Sequence, residues 1–319
     1  MADNLTTTTE VDAGVELYYE RVLLINAKPK LVHDRFAQMR PLPQGNSKII
    51  KFRRYTKLAT ATAQLSEGVT PPGKKLTKND ISATVAQYGD FVHLTDVVEL
   101  TNTDGELNKA GDLLGEQMGE THDQIIRDHI MQATGSLIFS TGGGHLNTAD
   151  LDTIILTLLG NDAQMITSLV HATTGVGTTP VRPSFWAILH PAMIDDLEDL
   201  STFQSTSTYP SQDTVDEAEW GSTNNIRWLV SSVARRSASS SDPYDTSATT
   251  FNWIPIIGQN AYGITELSGG NAKSIIKALG SGGTADPLNQ RSTMGWKAML
   301  VARVLNDNFM HLAIVDHSG

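Results

Sequence analysis

Several residue types in this chain could carry chemistry. Ser140-Thr141-Gly142-Gly143-Gly144-His145 has the glycines of a phosphate-cradling loop, whose backbone N–H groups wrap oxyanions. It lacks the Lys-Ser/Thr pair that completes such a loop, so a flexible joint is expected instead. His145 and His190 stand beside turns, where an imidazole can ligate a metal or move a proton. Neither has a second His, Asp or Glu at a familiar metal spacing, so both read as structural. Asp195, Asp196, Glu198 and Asp199 follow Pro191 at a helix start. Carboxylates there complement the helix dipole, which favours a solvated face over an acid–base pair. Serines crowd residues 231–241 without a Gly-x-Ser-x-Gly elbow. Arg235 and Arg236 in that loop read as surface charge, with contact to a phosphate or an acidic neighbour as the alternative. No catalytic, cofactor-binding or metal site is therefore expected.

Composition narrows the classes further. The 319 residues can build a large core, as one elaborate domain or two, and hydrophobic residues make up 39%. The mean hydropathy is −0.19, and no apolar run approaches the ~20 residues of a membrane helix. The first residues lack a basic region followed by an apolar core, so no secretory leader is expected. There is no cysteine, which excludes disulfides, thiol nucleophiles and cysteine-bound zinc. The formal charge of −11 argues against a dedicated nucleic-acid reader.

The elements that must position any function form an α+β mixture. Thr7 and Glu10 have capping-box spacing, and Val11, Val15, Tyr18, Val22 and Ile25 then trace an amphipathic stripe up to Pro29. That stripe suits packing on its own domain or docking on another subunit. Pro29, Pro41, Pro43 and Gly45 make residues 28–48 a connector. The strongest helix spans 103–134, capped by Thr103 and Glu106. Leu107, Gly111, Leu114, Met118, Thr121, Ile125 and His129 lie on one stripe, widened by Ile126, Ile130 and Ala133. Gly111, Gly115 and Gly119 recur at every fourth position, which predicts close packing against another backbone. A shorter helix is expected within 147–162 and a buried strand before Pro191. Further strands are expected near 165–173, 225–234, 251–267 and 271–280. The chain should end in a hairpin, with Trp296, Ala298, Leu300, Ala302 and Val304 alternating before a turn at Asn306-Asp307-Asn308.

The most unusual segment is 51–75, KFRRYTKLATATAQLSEGVTPPGKK. It is β-prone and carries Lys51, Arg53, Arg54, Lys57, Lys74 and Lys75 in an acidic protein, with turn chemistry at Pro71-Pro72. Limbs of roughly 15 residues, about 48–62 and 79–93, predict a hairpin about 50 Å long. A compact chain of this length has a radius of gyration near ~20 Å. A two-stranded ribbon is marginal in water, and this one has little apolar surface of its own. It needs an outside surface, most economically the acidic face of a second copy. Such a contact joins arm to body, and repeated by rotation it closes a ring.

Five long stretches carry a resemblance: LPQGNSKIIKFRRYTKLATATAQLSEGVTP, VAQYGDFVHLTDVVELT, LLGEQMGETHDQIIRD, WAILHPAMIDDLEDL and DPLNQRSTMGWKAMLVARVLNDNFMHLAIV. They resemble the N-four-type major capsid family of tailed phages and prophages, which has the Hong Kong 97-type fold. The resemblance covers nearly the whole chain and is weakest over 201–250. It implies an N-terminal arm and connector at 1–45 and an extended β-loop at 46–90. It implies a peripheral domain at 91–150 containing the spine helix, a mainly axial domain at 151–280, and a C-terminal return to the peripheral domain at 281–319. It also implies inter-subunit contacts through Lys51, Arg53, Arg54, Lys57, Pro71, Pro72, Lys74 and Lys75 of the loop and Val11, Val15, Tyr18, Val22 and Ile25 of the arm. The family has no catalytic residues and no cofactor. Some capsids of this fold cross-link Lys to Asn between subunits; Lys74 or Lys75 fits by position, without a motif.

The implied partner is the chain itself, in hexamers and pentamers of an icosahedral shell around double-stranded DNA, without sequence-specific binding. Portal, scaffolding and decoration proteins are further implied partners, and no membrane is. The implied location is the virion, after assembly in the bacterial cytoplasm. An encapsulin-like compartment shell and a soluble α+β hydrolase are the alternatives.

Overall fold

The computed structural model describes residues 31–41, 47–65, 67–97, 106–133, 137–139, 145–166, 183–209, 216, 218–237, 251–266, 273–277, 288 and 290–316. Two sheets and a long helix organise them. The first sheet holds β1 (Gln38–Met39), β4 (Ala86–Thr95), β12 (Tyr262–Glu266), β13 (Lys273–Lys277) and β14 (Arg291–Val304). The second holds β5 (Leu137–Phe139), β6 (Phe185–Leu189), β7 (Phe203–Ser205), β8 (Glu219–Thr223), β9 (Ile226–Val230), β10 (Arg236–Ser237), β11 (Phe251–Ile257) and β15 (Met310–Asp316). β2 (Ile49–Tyr55) and β3 (Lys78–Thr84) pair only with each other. Among the described residues the α-helices are α1 (Glu106–Ile130), α2 (Thr148–Gly160) and α3 (Ile194–Glu198).

The second sheet forms the larger core. β6 reads Phe-Trp-Ala-Ile-Leu and is buried at all five positions, as a central strand covered on both faces must be. Leu151, Ile154, Ile155 and Leu158 of α2 pack over it with Trp228 and Ile256. Asn147 caps α2 by accepting a hydrogen bond from the Asp150 N–H at 2.8 Å. Among the described residues no helix is long and apolar enough to cross a membrane.

β14 is the spine of the first sheet. It pairs antiparallel with β4 over ten residues and with β12 and β13 on its other side. Its even-numbered residues face α1: Met294 and Trp296 pack with Leu114 and Met118. Leu300 and Ala302 share a cluster with Ile126 and Ile130. The 25 residues of α1 span roughly 37 Å at ~1.5 Å each. Gly111, Gly115 and Gly119 are all buried, and α1 lies against β14 and β4. The helix ends at Ile130 rather than 134, and its most buried line runs through Ile126, Ile130 and Ala133, with Thr121, Ile125 and His129 half-buried. The expected stripe is buried at Gly111, Leu114 and Met118, and toward the C-terminal end the burial lies deepest on its widened side, at Ile126, Ile130 and Ala133. The capping box at Thr103 lies outside the described residues.

Two expected pairings differ. The ribbon 48–62/79–93 is not one long ladder: only Ile49–Tyr55 and Lys78–Thr84 pair, and after Val85 the return limb leaves to pair with β14. Seven pairs span only about 23 Å at ~3.3 Å each. The C-terminal strands do not form a hairpin. The 3-10 turn Asp307–Phe309 carries the chain from one sheet to the other, so β15 pairs with β11 and β5. Alternation identified both strands but not their partners, because the two sheets offer equally apolar neighbours. Near 165–173 only an isolated bridge, Ile166 to Ser184, is described; residues 167–173 lie outside the described set.

Two measurements on unassembled subunits test this packing. A Cβ at Gly295 would lie 2.6 Å from the Phe91 Cβ and 2.7 Å from the Asp90 carbonyl oxygen. Gly295→Ala should therefore cost about 1–3 kcal/mol in urea unfolding. His311 is buried in β15, and burial holds its pKa down to about 4. Between that value and the ordinary 6.5 the unfolded chain binds a proton that the folded chain does not. Stability should thus fall as pH drops from about 6.5 to 4, by at most about 3 kcal/mol from this group. His311→Gln should flatten that part of the pH profile.

Candidate assembly surfaces

The ribbon is fixed at its root and open beyond it. On β2, Ile50 and Phe52 face the body while Lys51 and Arg53 face away. Phe52 is 3% exposed and packs with Ala83, Leu305 and Val301. Its ring lies over Gly263, where a Cβ would come within 2.8 Å. Val301 is an odd-numbered residue of β14, so the ribbon root occupies the face opposite α1. Outward from there almost everything is exposed, including Tyr55, Leu58, Leu65, Val69 and Leu76.

The expected loop residues are spread along this exposed segment rather than gathered into a pocket. Arg53 Nε donates to Asp80 Oδ1 across the ladder at 2.9 Å, and this contact holds the Asp80 carboxyl below its usual range. Lys57 Nζ donates to Asp162 Oδ2 at 2.5 Å, just beyond the end of α2. Lys74 donates to the carbonyls of Ala59 and Thr60, stitching the two limbs where no ladder forms. Lys51, Arg54, Pro71, Pro72 and Lys75 are exposed. Residues 47–84 hold eight Lys/Arg against Glu67 and Asp80, a local +6 in a chain of −11, so the remainder carries −17. The arm residues Val11, Val15, Tyr18, Val22 and Ile25 lie outside the described residues.

The sequence reading missed a second feature. Residues 31–37, expected as plain connector, are a plug in the core. Asp123, fully buried on α1, accepts from the Val32 N–H at 2.9 Å and the His33 N–H at 2.7 Å through Oδ1. Its Oδ2 lies 2.7 Å from His33 Nδ1. Tyr262 donates its hydroxyl to the His33 carbonyl oxygen. Phe36 stacks on Trp186 with centroids 5.1 Å apart. Burial raises the Asp34 carboxyl pKa, and the nearby Asp123 carboxylate adds to it. Burial, then Asp34 and Asp123, pushes the Tyr262 phenol well above its ordinary value. β1 then joins β12 in parallel. The signal for this plug was a carboxylate placed on the apolar face of α1, between Gly119 and Ile126.

The residues singled out for chemistry do not converge. His145 Nδ1 lies 3.2 Å from Asp196 Oδ1. His190 accepts from the Ala192 N–H and caps a turn; burial first, then Arg236, lowers its pKa. Ser231 Oγ accepts from the Val233 N–H. Arg235 sits 4.9 Å from the Trp253 ring centroid. Arg236 lies in β10, beside β11. Glu198 accepts from Trp220 Nε1 at 3.0 Å, and Asp195 and Asp199 are exposed. Residues 140–144 lie outside the described set. Among the described residues no three His, Cys, Asp or Glu side chains could hold a metal together.

The described fold is similar to several solved structures. The head protein of Helicobacter pylori bacteriophage KHP40 is 12% identical, with a TM-score of 0.66 over 89% of this chain and 88% of that one. The capsid of cyanophage Pam1 is 12% identical, with a TM-score of 0.64 over 92% of each. The SrpI encapsulin of Synechococcus elongatus PCC 7942 is 10% identical, with a TM-score of 0.55 over 89% and 87%. These likenesses define the fold as Hong Kong 97-type. No curated protein matches the chain. The family described as "Phage capsid protein" matches residues 78–315, well over half of the chain, and the chain belongs to that family. It is accordingly a structural shell protein and not an enzyme.

Asp123→Ala should lower the unfolding free energy of the unassembled subunit by about 3–5 kcal/mol, because it strands a buried imidazole and two N–H groups. Limited proteolysis should then cut within residues 31–40, which stay protected in the parent protein.

Proposed function

We propose that this chain is the major capsid subunit of a tailed phage or prophage of the N-four type. It assembles in the bacterial cytoplasm into hexamers and pentamers of an icosahedral shell, which encloses double-stranded DNA in the virion. One observation carries this reading: a +6 ribbon, anchored by Phe52 and exposed beyond it, on a body of −17. The ribbon meets a second copy, arm on body, and α1 supplies acidic groups for it. Asp112, Glu116 and Glu120 lie along its exposed side, and Asp128, exposed further on, pairs with Arg127. Net negative charge on the rest of the chain keeps packaged DNA loosely held, since Lys/Arg–phosphate contacts bind tightly. Portal, scaffolding and decoration proteins are partners of the same assembly.

Replacing residues 57–76, beyond the paired strands and the buried Phe52, with a short Asn-Gly turn should leave a folded body with near-parental circular dichroism that builds no shells. Normal particles in electron micrographs of that variant would overturn the role of the ribbon. The likeness to an encapsulin favours one second reading, a compartment shell with protein cargo. Purified particles that contain an enzyme in place of DNA would establish it.

A further inference from the structure

Among the described residues, the face of the first sheet opposite α1 is only half covered. Phe52 takes one end, and the other end is open. There Phe91 of β4 is 58% exposed and Ile275 of β13 is 41% exposed. Between them lie Gly89 and Gly295, whose missing side chains leave a flat backbone floor. The result is a groove of about 500 Å³. Lys273, Lys277 and Lys297 project from the same face, because their registers place them with Ile275 and Gly295. An apolar groove with a lysine rim fits an apolar stripe flanked by carboxylates.

One segment of this chain has that chemistry. Residues 1–20 hold Asp3, Glu10, Asp12, Glu16 and Glu20 and no Lys or Arg. Val11, Val15 and Tyr18 form the stripe between those acids. We infer that the N-terminal segment of a second copy docks, stripe down, in the groove between Phe91 and Ile275, with its carboxylates on the lysine rim. The basic ribbon is a poor occupant, since it would bring like charge to three lysines. The Asp123 plug fixes residues 32 and 33 on the α1 side of the sheet, so the chain's own segment would have to pass around a sheet edge to reach the groove. This inference rests on the shell reading and deepens it by naming an acceptor for the arm.

The absence of cysteine makes a clean test. Chains carrying Val15→Cys and chains carrying Ile275→Cys are mixed, assembled and oxidised with diamide. A disulfide-linked heterodimer should form on a non-reducing gel. Its yield should exceed that of a Leu156→Cys control partner at least about tenfold, as proximity raises effective concentration. Reversing the rim with Lys273→Glu, Lys277→Glu and Lys297→Glu should reduce the yield, and Glu10→Lys, Asp12→Lys and Glu16→Lys should restore it. Intact particles without the heterodimer overturn the inference. So does cross-linking of Ile275→Cys to Leu65→Cys in the ribbon, or a link confined to one chain carrying both cysteines. Failure to form particles at all counts against the shell reading instead.

Discussion

β14 is fourteen residues long, and the alternation of its side chains divides the first sheet between two tasks. Met294, Trp296, Leu300 and Ala302 hold α1, while Val301 on the opposite face helps seat Phe52. A one-residue slip would exchange these faces, placing lysine under the helix and tryptophan in solvent. Ten register pairs with β4 and five with β13 fix the strand against that slip. The ribbon is therefore aimed by the same register that places the helix. Its direction is a property of the core, although its tip touches little of it.

The Asp123 plug adds a polar constraint to this apolar frame. A buried carboxylate is costly unless its oxygens are satisfied. Here two backbone N–H groups and an imidazole satisfy it, and all three belong to residues 32 and 33. An apolar residue at 123 could fill similar volume but could not select one register of the incoming chain. The plug fixes where the N-terminal segment enters. Tyr262 and the Phe36–Trp186 stack tie the same residues to both sheets.

Much of this was legible in the sequence, and the exceptions have physical causes. The 3.6-residue period revealed α1 and α2, and the apolar run Phe185–Leu189 revealed a central strand. The basic, turn-tipped segment 51–75 revealed a projecting ribbon. Strand partners were not legible: β3 and β4 read as one limb, and β14 and β15 as a hairpin. Period-2 patterning says which face is buried but not which strand lies alongside. The plug was hidden because prolines around residues 29–43 signal irregular backbone, and irregular backbone can still be core when its N–H groups find an acceptor. Asp123 was passed over because one carboxylate in a helix is ordinarily solvated.

Charge explains how such a chain can assemble without collapsing. At −11 overall the copies repel at long range, while a ribbon carrying +6 offers attraction to a body of −17. Each exposed ion pair contributes at most about 1 kcal/mol and weakens with salt. Exposed apolar residues along the ribbon, such as Leu58, Leu65, Val69 and Leu76, add burial when a second surface arrives. A contact built this way is weak alone and directional, because arm and body differ. In the ring we propose, cyclic closure makes this contact cooperative, because every copy gives one ribbon and receives one. Weak single contacts let a misplaced copy leave, while the closed ring holds each copy at two surfaces. The exposed tip is thus a stability cost of the lone subunit that assembly removes.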